Sequence, residues 1–188
     1  LKFVAGFRAQ PFALEFSYEH TRHNGVWRGL TGEATFDAVN IDGRVDPPPR
    51  FRTRARMLWD DAFFYVAAEL EEPDAWGTLT TRDAIIYNDN DFEVFIDPDG
   101  DTHAYYELEV NALGTVWDLM LVQPYRDGGP AVHGWDIAGL RAGVDVQGTI
   151  NRAGDRDTRW TVEIAMPWSI LREAAPERRP PKPGEQWR

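Results

Sequence analysis

Residues 89–121 read DNDFEVFIDPDGDTHAYYELEVNALGTVWDLML, two strand patterns on either side of an acidic turn. Phe92, Val94 and Ile96 alternate with Asp91, Glu93 and Phe95, the period of two that belongs to a strand with one buried face. After the turn at 97–103, Tyr106, Leu108 and Val110 alternate with Tyr105, Glu107, Glu109 and Asn111. Paired as a hairpin, these strands put Glu93 on one polar face with Glu107, Glu109 and Asn111, because opposed residues lie about 5 Å apart. Such a face can bind hydroxyl groups, hold calcium, or supply a catalytic acid and base. It can also be the solvated side that an antiparallel sheet ordinarily has, and the spacing leaves these readings open.

Working outward, the segment 51–72 predicts a second hairpin: RFRTRARMLW, a tight turn at Asp60 and Asp61, then DAFFYVAAELEE. Residues 73–90 form a long excursion between strands, and long loops on rigid scaffolds often carry binding groups. Past Leu121 the chain is loop-like through Gly128, Gly129 and Pro130, with Trp135 as an anchor. AGVDVQGTI alternates imperfectly at Val144, Val146 and Thr149. RWTVEIAMPW alternates cleanly, with Trp160, Val162, Ile164 and Met166 on one side. A short helix is expected over 169–175. Six or more strands joined by turns, without alternating helices, predict an all-β fold: an antiparallel β-sandwich, jelly-roll-like and immunoglobulin-like in overall shape.

The first 50 residues show only one strand-like alternation, at Leu14, Phe16 and Tyr18, with Trp27 and Phe36 as scattered anchors. The three prolines of IDGRVDPPPR close that part as a loop. A Pro-rich connector at 176–185 precedes a last strand that starts at Gln186. The chain opens at Leu1 without an initiator methionine or a signal pattern, so a processed or excised segment is expected, with residues continuing beyond Arg188.

The 188 residues suit a single domain, long enough to bury roughly 70% of its unfolded surface without staples. With no cysteine, disulfides, thiolate metal sites and a cysteine nucleophile are excluded. The 31 acidic against 20 basic residues give a net charge of −11, which repels phosphate backbones and anionic membranes. Nucleic acid is therefore not an expected partner. Neither is membrane insertion, since no apolar run approaches the roughly 20 residues of a spanning helix.

The succession LWDDAFFYVAAELEEP, DNDFEVFIDPDGDTHAYYELEVNALGTVWDL, RWTVEIAMPW and PGEQWR, spanning 51–188, resembles the family 9 carbohydrate-binding modules. The resemblance implies a β-sandwich from a secreted, periplasmic or cell-surface bacterial protein. It also implies binding of polysaccharide or oligosaccharide chains, in the best-known members at chain ends, with structural calcium. On this match Glu93 falls on the carboxylate that hydrogen-bonds sugar hydroxyls, Asn111 on the partnering amide, and Tyr87 on one aromatic of a stacking pair. Glu109 stands where the family has arginine, and the second stacking aromatic would follow the strand that PGEQWR begins.

The chemistry suits a sugar, whose apolar C–H face stacks on a flat ring while its hydroxyls need bidentate partners. Of the eight tryptophans, Trp160 and Trp168 read as core or its edge and Trp59 as part of the hairpin. Trp76 and Trp117 are open to two readings, as core or turn anchors and as rims of the acidic face. Asp97, Asp99 and Asp101 alternate as hard oxygen ligands for calcium do, although Leu108 stands where an EF-hand has its glutamate, and an acidic hairpin turn has the same composition. His20, His23, His103 and His133 are too scattered to suggest a metal centre.

Two other functions fit some of these residues. A glycoside hydrolase or lyase would use Glu93 and Glu107 as acid and base, at the about 5 Å or about 6.5–9.5 Å that retaining or inverting mechanisms require. A haem-binding electron-transfer domain of related fold would draw on Met57, Met120 or Met166 with His103. The reading that best fits the residues is non-catalytic binding of a plant-type β-glycan or xylan.

Overall fold

The computed structural model describes residues 2–3, 51–175, 177, 181 and 187. Among them two sheets stack as a β-sandwich, as the alternating patterns predict. One sheet holds, in order, β1 (Lys2–Phe3), β4 (Asp91–Ile96), β5 (Tyr105–Asn111), β6 (Val116–Leu121) and β7 (Ala131–Val132). The other runs β2 (Thr53–Trp59), β3 (Phe63–Glu71), β9 (Arg159–Pro167) and β8 (Arg141–Gln147). All neighbours are antiparallel except β1, which runs parallel to β4 with Lys2 in register with Glu93.

Strand alternation builds the core directly. From β4 and β5, Phe92, Val94, Ile96, Tyr106, Leu108 and Val110 point inward, meeting Val66, Ala68, Leu70, Trp160, Val162, Ile164 and Met166 from β3 and β9. Branched and aromatic side chains suit this half-buried pleated surface, and their shared face fixes the register because a one-residue slip would expose the whole set. Asp60 sets the β2–β3 turn: its carboxylate accepts the Ala62 and Phe63 N–H groups and the Tyr65 hydroxyl at 2.7–2.8 Å. The helix expected over 169–175 is shorter and earlier, a single turn at Trp168–Leu171. Trp168 anchors it, with its indole N–H donating to the Asp60 carbonyl at 2.8 Å.

One alternative departs from what a two-layer sandwich suggests. The outer face of the five-stranded sheet, which carries the acidic side chains, is not solvated: Asp91, Glu93, Glu107, Glu109 and Asn111 are all buried. Part of the cover is a second apolar cluster, in which Ile86 of the excursion packs on Trp117, Leu119 and Leu121, flanked by Leu79, Phe95 and Tyr105. The excursion thus folds back over the sheet and adds a third layer on this side.

The strand expected around Leu14, Phe16 and Tyr18, the proline loop at 41–50, and the histidines His20 and His23 lie outside the described residues. So does most of the connector at 176–185 and of the last strand. Trp187 is described, and its ring meets Trp168 edge-on at 5.6 Å. No helix among the described residues is long and apolar enough to cross a membrane.

Candidate functional site

The 73–90 excursion contains only one regular element, a 3-10 turn at Ile86–Asn88, yet it is laced to the sandwich by short side chains that capture its backbone. Asp157 accepts the Ala75 N–H (2.6 Å) and the Thr149 N–H (2.7 Å). Asn151 grips Gly77 at both ends, accepting its N–H at 2.9 Å and donating to its carbonyl at 2.6 Å. Asn90 accepts the Trp76 N–H at 2.6 Å and returns its own N–H to the Trp76 carbonyl at 3.0 Å. Asp89 accepts the Thr78 and Leu79 N–H groups at 2.9 Å; burial pushes its carboxyl up, but these bonds and that from Asn111 outweigh it and hold the group below its ordinary value. Backbone donors that would be orphaned in a loop are thereby paired.

This lacing sets Trp76 and Tyr87 at the head of β4, with both rings exposed, at 41% and 51%. Trp117, the other candidate for the rim, is placed differently. It is 7% exposed, with Tyr87 tilted against it at 6.0 Å and His133 stacked on it at 5.6 Å and 13°. Neighbouring rings therefore already occupy Trp117, so it supports Tyr87 rather than offering a free face. Trp160 and Trp168 are core and Trp59 ends β2 at the hairpin, as expected of them, and Trp59 is exposed there.

The register of β4 and β5 sets Glu93 opposite Glu109 and Asp91 opposite Asn111. Glu107 faces Phe95 instead, so the Glu93 and Glu107 of the hydrolase reading are diagonal neighbours, not a directly opposed pair. Both are buried, at 2% and 1% exposure. That overturns the view of this face as open, and the burial raises an acid: desolvation, then the charges of Glu93, Asp91 and Glu107, push the Glu109 carboxyl up to about 9. Tyr125 donates its hydroxyl to Glu107 at 2.7 Å, and its own ionisation is displaced upward by burial and by that carboxylate.

Asn111 is fully engaged within the fold. Its amide N–H groups donate to the Leu79 carbonyl (2.8 Å) and to Asp89 (2.9 Å), while its oxygen accepts the Thr115 (2.8 Å) and Leu113 (3.1 Å) N–H groups. Two donors and two acceptor positions exhaust an amide. In this arrangement Asn111 ties the excursion to the β5–β6 turn and has no polar capacity left for a ligand.

At the other end of the hairpin, Asp97 accepts the Gly100 N–H (2.8 Å) and the Thr102 N–H (2.9 Å), and Asp101 accepts the His103 N–H (2.7 Å). Carboxylate oxygens of Asp97, Asp99 and Asp101 lie within 4.8 Å of one another. A second acidic group, Asp83, Asp118 and Asp136, already holds a cation of the chain's own, because Arg82 pairs with Asp118 and reaches Asp136 at 3.5 Å. Met166 lies in the inter-sheet core, with Met57 and Met120 packed against that core. His103 is exposed in the turn with its ring hydrogen-bonded to the Asp101 carbonyl, surroundings unlike those of the methionines.

Reasoning from sequence did not single out Asp89, Asn90, Asn151 and Asp157, the residues that shape the loop. Their only local signal is the Asn/Asp-rich composition of YNDND and INRAGDRD, which marks turns but not what they grip.

A family model described as carbohydrate family 9 binding domain-like matches residues 21–180. Among solved structures, the chain is similar in fold to a candidate carbohydrate-binding protein from Bacteroides uniformis, with a TM-score of 0.52, 18% identity, and coverage of 72% of this chain and 59% of that one. Weaker likenesses are to a family 9 carbohydrate-binding module from Caldicellulosiruptor kristjanssonii. In complex with glucose it gives a TM-score of 0.41, 16% identity and coverage of 76% and 68%; with cellotriose, 0.41, 16%, and 74% and 64%. No curated protein matches the chain. With the model matched over most of its length, on a sandwich of the expected kind, the chain belongs to the carbohydrate family 9 binding domain-like family.

Proposed function

We propose that the chain binds a β-linked glycan, of the cellulose or xylan class, by stacking a sugar ring on Tyr87 with Trp76 as a second platform, and does not transform it. The observation that carries this reading is the pair of exposed rings held at the head of β4 by a loop whose backbone is pinned by Asp89, Asn90, Asn111, Asn151 and Asp157. A ring fixed in advance loses little entropy on binding, so stacking converts more directly into affinity. The exposed Asn88 beside Tyr87 donates its amide N–H to the Ile85 carbonyl at 3.2 Å and keeps its amide oxygen for a hydroxyl. Asn111 acts by holding the loop, and Glu93, on the buried strip, belongs to the frame beneath it.

Calorimetric titration with cellobiose, xylobiose and longer oligomers tests the reading. Tyr87→Ala and Trp76→Ala are each expected to lose roughly 1–3 kcal/mol of binding, the scale of a stacking contact with its buried area. Failure of every sugar to bind the folded wild-type chain would end the proposal. No turnover is expected; reducing sugar released from xylan, and abolished by Glu93→Gln, would show an enzyme instead.

In the same reading calcium stiffens the Asp97–Asp101 turn. The donor set fits a hard cation: three carboxylates converge, and burial with the charges of Asp101 and Asp97 pushes the Asp99 carboxyl up, a repulsion that a divalent ion relieves. Calcium is expected to raise the melting temperature of chelator-treated protein, by less in Asp99→Asn than in wild type. An equal rise in both would remove this turn as the ion's place. The proposed location is outside the cytoplasm, where such glycans are met.

A further inference from the structure

We propose, resting on the glycan reading of Tyr87, that the site extends past that ring onto His133, whose imidazole edge recognises a hydroxyl of the neighbouring sugar residue. The ligand is then an oligosaccharide segment and not a single ring. Tyr87 and His133 belong to distant segments, yet both pack on Trp117: Tyr87 is tilted against it at 6.0 Å, and His133 lies nearly parallel to it, at 5.6 Å and 13°. Trp117 is buried, whereas both of its neighbours are exposed.

The fold holds this arrangement from both flanks. β7 pairs with β6 through Val132 opposite Met120, and the turn that follows is closed by the Trp135 N–H on the Val132 carbonyl at 3.2 Å. His133 lies in that turn, with its ring laid on Trp117. Asp118, the residue after Trp117, accepts the Ile137 N–H from the far side of the turn and pairs with Arg82 of the excursion. One side chain of β6 thus ties down both the segment that carries His133 and the segment that carries Tyr87. Two exposed rings set in advance on a shared support lower the entropic cost of binding a chain across them.

His133 has what a further contact requires. Trp117 covers one face of its ring, so its exposure lies in the other face and the edges, and among the described residues the imidazole makes no hydrogen bond or ion pair. An uncommitted ring nitrogen offers an N–H or a lone pair, and a sugar hydroxyl, being both donor and acceptor, can meet either. Trp117 supplies a second sign. Its indole N–H is buried with no hydrogen-bond partner, a rare condition in a folded protein. A glycan lying over Tyr87 and His133 brings hydroxyls, and the waters bound to them, to that same strip. The apolar C–H faces of a β-linked chain suit the rings, and its hydroxyl rim suits their polar edges.

The experiment is calorimetric titration of glucose, cellotetraose and xylotetraose into the full chain, for wild type and for His133→Phe, which keeps a ring on Trp117 but removes the polar edge. The dissociation constant of the tetrasaccharide that wild type binds is expected to rise about three- to tenfold in the variant, the scale of one hydrogen bond, and that of glucose to change less. An unchanged tetrasaccharide affinity overturns the proposal. So does an equal loss for glucose, which would make His133 only a support for Tyr87. Independently of affinity, the imidazole proton resonances of His133 in wild type, assigned by their absence from His133→Phe, are expected to move when the tetrasaccharide is added. Binding without that movement overturns the extension to His133 and leaves the glycan reading of Tyr87 standing, whereas failure of every sugar to bind wild type overturns both.

Discussion

Asp157→Ala is expected to lower the free energy of unfolding by about 2–4 kcal/mol, since it strands the Ala75 and Thr149 N–H groups at about 1–3 kcal/mol each. The same change is expected to weaken glycan binding, although Asp157 lies in the turn between β8 and β9 and acts only through the backbone next to Trp76. Asp157 is 5% exposed, and its own N–H donates to the Pro73 carbonyl at 2.9 Å, so the carboxylate cannot swing away to water. Gly148 provides a second route to the same result. A Cβ built there would sit 2.0 Å from Asp157 Oδ1, so Gly148→Ala must displace the carboxylate that pins the loop. Urea denaturation gives the stability and sugar calorimetry the affinity. If both variants melted as wild type and bound sugar unchanged, Asn151, Asn90 and Asp89 would be sufficient to hold the loop, and the reading of Asp157 as its principal pin would be wrong.

Glu109→Gln is expected to have the opposite sign and to depend on pH. Burial, then the neighbouring Glu93, Asp91 and Glu107 carboxylates, raises the Glu109 carboxyl from its ordinary 4.5 to about 9 in the folded chain. Between those values the folded state keeps a proton that the unfolded state releases, so stability is lost as pH rises through the window, by up to about 1.4 kcal/mol per pH unit for one proton. Glutamine mimics the protonated acid and can still donate toward Glu107, so it removes this loss. In chelator, the variant and wild type are expected to unfold alike near pH 4.5. By pH 8 the variant is expected to be the more stable by about 1–3 kcal/mol, given order-of-magnitude electrostatics of this kind. Chemical denaturation at four or five pH values checks it. A wild-type stability that is flat or rising from pH 5 to 8, with the variant parallel to it, would mean that Glu109 is ionised in the fold.

The sequence by itself determined the sheets. Phe92, Val94, Ile96 and Trp160, Val162, Ile164, Met166 alternate so regularly that each set has to share one apolar face, and the two apolar faces cover each other. The resemblance of residues 51–188 to family 9 carbohydrate-binding modules was legible in the same strands, which carry the family's pattern. Tyr87 was singled out through that resemblance, and Trp76 as an aromatic of the long excursion. Tertiary structure alone decided the rest. It buried the acidic face of β4 and β5, set Glu93 against Glu109 rather than Glu107, filled every hydrogen-bonding position of Asn111, and covered Trp117 with Tyr87 and His133. The physical reason is range. Alternation is a local property of consecutive residues, whereas burial of the outer face depends on where the 73–90 loop returns. That return is fixed by hydrogen bonds from Asn151 and Asp157, more than 70 positions away in the chain, and no short-range pattern encodes them.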